Sequence, residues 1–268
     1  MSKRLKIVSA GPLRYEYLVP ITTPESKKRG KKQNVSTAAQ QFMNLKNSWR
    51  QLELLIAENF GNGDLVVTYT YDDEHLPADK NGADILFQKH VRKLRASRRA
   101  RGEELKYIYN TEGLHGKEGS SDFDCFDDST DWEDGRLHHH VIINGTGNDY
   151  EELRSLWDYG VYIRVEPLNI HYLSELARYM TKEAREFGRG KPGERTWKCS
   201  RNLRPYRVEY DDVRDSMTLT APHGAVDFTH IEEPSPEGYG EFKCTRYLLL
   251  EPEKVPAYSY NQTRRKRE

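Results

Sequence analysis

Three consecutive histidines run straight into a β-branched stretch, RLHHHVII, at residues 136–143. In an extended strand successive side chains face opposite ways, so His138 and His140 share one face, about 7 Å apart along the strand. His139 turns to the other face with Val141 and Ile143. Two neutral imidazoles side by side begin a divalent-metal site. A third donor must come from a neighbouring strand. Glu112, at the end of YIYNTE (107–112), stands beside the pair if the two strands form a hairpin. Two imidazoles and a carboxylate leave coordination positions open, which suits catalysis better than a structural role. On these residues alone, a histidine cluster without a metal is the plainer alternative.

A second reactive candidate lies in ELARYMTKEAREFG (175–188). Leu173, Leu176, Ala177, Met180, Ala184 and Phe187 mark the buried stripe of a helix over 170–187, ended by Gly188. Tyr179 sits about 120° from the centre of that stripe, and Lys182 is its surface neighbour at i+3. Core packing does not account for this tyrosine. A phenol with a pKa near ~10 is a weak nucleophile, but a nearby ammonium and a polarised phosphate would both assist its attack. An ordinary exposed tyrosine is the alternative on local grounds.

The elements that must position these groups follow from periodicity. Phe42, Leu45, Trp49, Leu52, Ile56 and Phe60 recur at three and four, which predicts a helix over 35–60. DLVVTYTYDD (64–73) reads as a strand, 84–101 as a basic helix, and 105–112 and LHHHVIIN as further strands. A short helix over 150–157, a strand over 159–168, the tyrosine helix and a strand at 206–210 complete the series. The acidic stretch 114–135 reads as a long loop inserted between two strands. The fold class expected is α+β: a central antiparallel sheet of about five strands with helices packed on one face. Three segments follow: 1–63, with the amphipathic helix; 64–210, the sheet domain; and 211–268, with short strand candidates such as SMTLTA and TRYLLL and a basic end.

The formal net charge is zero, with 42 basic and 42 acidic residues, but the charges are segregated. Basic runs occupy 27–32, 89–101 and 185–207, and an acidic tract without basic residues occupies 122–134. Local patches of this kind neutralise phosphates whatever the total charge. No apolar run approaches the length of a membrane span, so no membrane partner is expected. The three cysteines form no C-x-x-C pair, which excludes a zinc knuckle and is consistent with a reducing cytoplasm.

Taken together, these residues resemble the HUH endonucleases, and more closely the rolling-circle replication initiator (Rep) proteins of small phages and plasmids. VVTYTYDDEHLP (66–77) looks like their first motif. RLHHHVII looks like the second, with His138 and His140 in the ligand places and His139 in the middle place that is usually apolar. Tyr179-Met-Thr-Lys182 looks like the third, with a single tyrosine because positions 175 and 183 are Glu. The match covers about 64–187; SRNLRP (200–205) also resembles a segment that follows the tyrosine helix in phage-type members.

The resemblance implies an HUH/RRM-like (ferredoxin-like) sheet and a nickase that acts on single-stranded origin DNA. Glu112, His138 and His140 would hold Mg²⁺ or Mn²⁺. Tyr179 would form a 5′-phosphotyrosine and leave a 3′-hydroxyl to prime synthesis, and Lys182 would position or stabilise the phosphate. DNA contacts are expected from Thr68, Thr70 and Tyr71, from Arg92, Arg95 and Arg99 of the basic helix, and from Lys191, Arg195 and Arg201 of the later basic loop, with Tyr69 or Trp197 as further stacking candidates. No G-x-x-x-x-G-K-[ST] motif occurs, so a host helicase and polymerase are the expected partners, in the cytoplasm of a host cell. A transposase or relaxase of the same chemistry, or a non-catalytic RRM-like nucleic-acid-binding module, are the alternatives.

Overall fold

The computed structural model describes residues 3–20, 38–113, 136–147, 149–182, 195–214, 216–234 and 241–250. It is an α+β chain with two five-stranded antiparallel sheets and four α-helices among those residues. It divides into two units.

The unit that carries the histidines comprises Ala38–Arg50 and Phe60–Leu203. After the first part of α1 (Ala38–Asn59) it runs β3 (Leu65–Thr70), α2 (Lys80–Ala100), β4 (Tyr107–Glu112), β5 (His138–Ile143), α3 (Asp149–Ser155), β6 (Ile163–Pro167), α4 (Leu173–Tyr179) and β7 (Lys198–Cys199). The sheet order is β6-β3-β5-β4-β7, with every pair antiparallel. Strand alternation sorts its residues into two sets. Val67, Tyr69, Tyr71, Tyr107, Tyr109, Val141, Ile143 and Ile163 form one core with Ala83, Phe87, Val91 and Leu94 of α2 and with Leu153 and Trp157. α2 starts where the Asp79 side chain accepts the Gly82 N–H.

The opposite face carries Thr68, His138, His140, Asn110 and Glu112, together with Ile108 and Ile142, both fully buried. α4 lies on this face, since the Tyr179 ring packs against His140. Helices therefore cover both faces rather than one. The physical reason is that Ile108 and Ile142 must be shielded from water as completely as the other face.

α2 ends in a buried cation. Arg98 is fully buried and donates to Asn144 O and Oδ1 (2.7 and 3.0 Å), Asp149 Oδ1 (2.9 Å) and Glu152 Oε2 (3.2 Å). It thereby ties the end of α2 to the end of β5 and to α3.

The second unit comprises Met1–Thr37, Gln51–Asn59 and Arg204–Glu268. Its sheet has the order β8-β1-β2-β10-β9, from β1 (Lys3–Ala10), β2 (Leu13–Pro20), β8 (Arg207–Val213), β9 (Ala225–Pro234) and β10 (Glu241–Leu249). Gly11 turns the first hairpin at φ +50°, and a Cβ there would meet Ala57 O at 2.1 Å. Within this unit Glu53 is fully buried and accepts from Tyr15 Oη (2.5 Å) and Arg246 Nε (2.7 Å). The two terminal segments thus share one sheet, whereas the sequence reads as two separate extensions. The strand expected at 206–210 belongs to this sheet, and the fifth strand of the histidine sheet is the two-residue β7.

Candidate metal centre

The site is written in the register of three strands. His138 pairs with Thr70 on one side and Glu112 on the other, and His140 pairs with Thr68 and Asn110. Glu112 is therefore directly opposite His138, as the hairpin argument requires. The Nε2 atoms of His138 and His140 are 3.1 Å apart, and Glu112 Oε2 lies 4.0 and 3.7 Å from them. A point in the plane of these three donors is about 2.1 Å from each, the distance at which Mg²⁺ takes oxygen and Zn²⁺ takes nitrogen ligands. The three residues fit a divalent cation.

The outer partners fix the orientation of each ligand. His138 Nδ1 donates to the Arg136 carbonyl at 2.9 Å, which leaves its Nε2 lone pair aimed at the site. Asn110 Nδ2 donates to Glu112 Oε1 at 2.6 Å, which leaves Oε2 to face the imidazoles. His140 Nδ1 lies 3.2 Å from the Thr68 hydroxyl, a group that both donates and accepts.

Since the His138 Nδ1 proton goes to the Arg136 carbonyl, the 3.1 Å contact is His140 Nε2–H donating to His138 Nε2, and the Thr68 hydroxyl donates to His140 Nδ1. A cation held by both Nε2 lone pairs would move the His140 proton to Nδ1, where it would donate to the Thr68 hydroxyl. Burial holds the His140 imidazole well below its usual pKa range, helped by His138, His139 and Arg164, so the ring is neutral and its lone pair is available at neutral pH.

His139 is not part of this set. It is fully buried on the other face, where the Tyr71 hydroxyl contacts Nε2 at 2.6 Å and the Thr111 hydroxyl contacts Nδ1 at 2.9 Å. Burial keeps it neutral as well, so it is a core histidine with both nitrogens occupied.

The half-buried Tyr179 presents its ring edge to His140, with centroids 4.8 Å apart and the planes at 68°. Of the helix predicted over 170–187, α4 covers Leu173–Tyr179 after a 3₁₀ turn at Ile170–Tyr172, and 183–187 lie outside the described residues. After Tyr179 the Thr181 hydroxyl bonds back to the Ala177 carbonyl at 2.9 Å, and the Thr181 N–H bonds to Arg178 O, three residues back rather than four. Lys182 is half-buried and again helical. On the neighbouring turn the Arg178 guanidinium lies 4.6 Å from the Trp49 ring of α1.

The other expected contacts divide. Thr68 and Thr70 lie on the histidine face, and Thr70 Oγ1 donates to the Tyr162 carbonyl. Tyr71 and Tyr69 do not: both are buried under α2, and the Tyr71 hydroxyl donates to Ala83 O, so neither ring is presented for stacking. The alternation that puts Thr68 and Thr70 beside the histidines puts these tyrosines in the opposite core. Arg92, Arg95 and Arg99 are exposed on the outer side of α2, away from the histidine face. Arg195 and Arg201 are exposed next to β7, and Trp197 is half-exposed. Lys191 and the acidic tract lie outside the described residues.

Two residues went unnoticed in the sequence. Asn110 is a polar residue two before Glu112, on the same strand face and directly after the aromatic and apolar Tyr107–Tyr109, and that spacing is a usable signal. Arg164, opposite Thr68 on β6, had none. Comparison of the chain with family models, with curated proteins and with solved structures finds no match.

Proposed function

We propose that this chain is a metal-dependent DNA nickase of the HUH type, a rolling-circle replication initiator. The observation that carries the reading is the packing of Tyr179 against His140, on the sheet face that holds His138 and Glu112. The succession β-α-β-β-α-β over β3 to β6, in the order β6-β3-β5-β4, is that of a ferredoxin-like sheet and supports the same reading.

When bound, Mg²⁺ or Mn²⁺ would draw charge from a non-bridging oxygen of the scissile phosphate. Tyr179 supplies the nucleophile. Its oxygen forms a bond to phosphorus as the bond from phosphorus to the 3′ oxygen breaks. The phenol proton leaves, the 3′ oxygen takes up a proton, and the products are a 5′-phosphotyrosine and a free 3′-hydroxyl. Lys182, one turn on, would offset charge on the phosphate. Asn110 and Arg136 hold Glu112 and His138 in place. The binding-only alternative relies on exposed aromatics on the sheet, and burial of Tyr69 and Tyr71 weighs against it.

The test is incubation with single-stranded DNA carrying the cognate origin and Mn²⁺, followed by a denaturing gel. A covalent protein–DNA band is expected, and Tyr179→Phe should abolish it while DNA affinity stays within about twofold. A band that persists in Tyr179→Phe removes this tyrosine from the role.

A further inference from the structure

Helix α2 carries a stripe of cations that the metal centre cannot use. Lys89, Arg92, Arg95 and Arg99 are all exposed, and none pairs with a carboxylate among the described residues. Their neighbours differ: Lys93 pairs with Asp158, Arg101 with Glu103 and Glu152, and Arg98 is buried. At 100° per residue the four fall within an arc of about 120° and span about 15 Å of the helix axis. The single acidic residue of α2, Asp84, is taken up by Tyr109 (2.5 Å) and Lys198 (2.7 Å). Among the described residues the stripe is therefore uncompensated charge.

Its position separates it from Tyr179. Phe87, Val91 and Leu94 hold α2 against the Tyr69 and Val141 side of the sheet, whereas Glu112, His138, His140 and Tyr179 occupy the opposite side. One helix diameter and one sheet intervene, roughly 15–20 Å. The phosphate beside Tyr179 and the phosphates that meet this stripe must be different ones.

We propose that the outer face of α2 is a second nucleic-acid surface, which grips the phosphate backbone of duplex DNA while the histidine face takes a single strand. Among the exposed side chains of α2 there is no aromatic ring, so the stacking platform used to hold single strands is lacking there. A rigid row of cations without stacking groups makes sequence-independent backbone contacts. The proposal extends the nickase reading, but its test does not depend on cleavage.

In the full chain, Lys89, Arg92, Arg95 and Arg99 are each changed to Gln, together and singly. Binding to a short duplex of arbitrary sequence and to a single-stranded oligonucleotide is followed by anisotropy between about 50 and 200 mM salt. The salt slope for duplex should become shallower by about 3–4 in the quadruple variant and by about 1 in each single variant. The single-strand affinity should stay within about twofold. The single variants keep the measurement available if the quadruple variant folds poorly. Equal duplex slopes in all variants would overturn the proposal. So would an equal loss for duplex and single strand. Absence of the covalent Tyr179 adduct in the unmodified chain would end the nickase reading and leave this surface standing.

Discussion

The Thr68 hydroxyl should set how tightly the histidine centre holds a cation, and Thr68→Val tests this with no assay of activity. Valine keeps the shape of threonine but removes the hydroxyl that lies 3.2 Å from His140 Nδ1 and would accept its proton once a cation is held. A cation needs the Nε2 lone pair, hence a proton on Nδ1, and in the variant that proton has no acceptor in a nearly buried ring. Loss of such an outer partner weakens metal affinity by about 10–100-fold. At a Mn²⁺ concentration about 100 times the dissociation constant, binding adds about 2.7 kcal/mol to the stability of the unmodified chain. In the variant the same concentration should add only about 0.4–1.4 kcal/mol. For a unit of this size, roughly 2–4 °C per kcal/mol, the Mn²⁺-induced rise in Tm should fall from roughly 5–11 °C to roughly 1–6 °C. Calorimetry with and without Mn²⁺ compares each variant with itself, so the hydrogen bond lost in the metal-free state cancels. Thr68→Ser should restore the full rise. A Thr68→Val protein whose rise equals that of the unmodified chain, while Glu112→Gln loses it, would refute the tautomer argument and leave the ligands intact.

Two further outcomes follow from the buried charges of the same unit. Burial pushes the His90 pKa down to about 4, and among the described residues no acceptor stands ready for a proton added at Nε2. The unfolded chain therefore binds this proton first. The contribution of His90 is full above pH ~6.5 and is lost as pH falls toward 4, by about 3 kcal/mol in total. Urea unfolding followed by tryptophan fluorescence should show it. His90→Leu should flatten the fall between pH 6.5 and 5, and an unchanged slope would remove His90 as its source. Arg98→Met should cost about 3–5 kcal/mol, because Asp149 and Glu152 keep their charges in a site that is nearly closed to water. Thermal unfolding should drop by roughly 10 °C, and a drop of a degree or less would mean that water replaces the guanidinium.

Much of the centre was legible because a strand has a period of two. That rule alone separates His138 and His140 from His139 and selects Glu112 rather than Thr111 across the hairpin, and the register agrees at each position. The same rule, carried one strand further, would have withdrawn Tyr69 and Tyr71 as stacking groups, since they alternate with Thr68 and Thr70. Arg98 was readable too. It continues the stripe Phe87, Val91, Leu94 at four residues beyond Leu94, a position that demands burial, although its chemistry groups it with the exposed arginines around it.

What could not be read depends on partners distant in sequence. β1 and β8 are paired across some two hundred residues, and nothing local in Arg207–Val213, whose side chains are mostly exposed, says which sheet it joins. β7 is two residues in a polar stretch and exists because Ser200 and Cys199 meet the edge of β4. The placement of α2 is the consequential case. Helical periodicity identifies its inner and outer faces, but it does not say on which side of the sheet the helix lands, and that choice decides whether Arg92, Arg95 and Arg99 share a side with Tyr179. The burial of Tyr69 and Tyr71 answers it: the aromatic face of β3 needs a cover, α2 follows β3 directly, and the histidine face is left to α4. The arginines are thereby sent away from the phenol by the same alternation that gathers Glu112, His138 and His140.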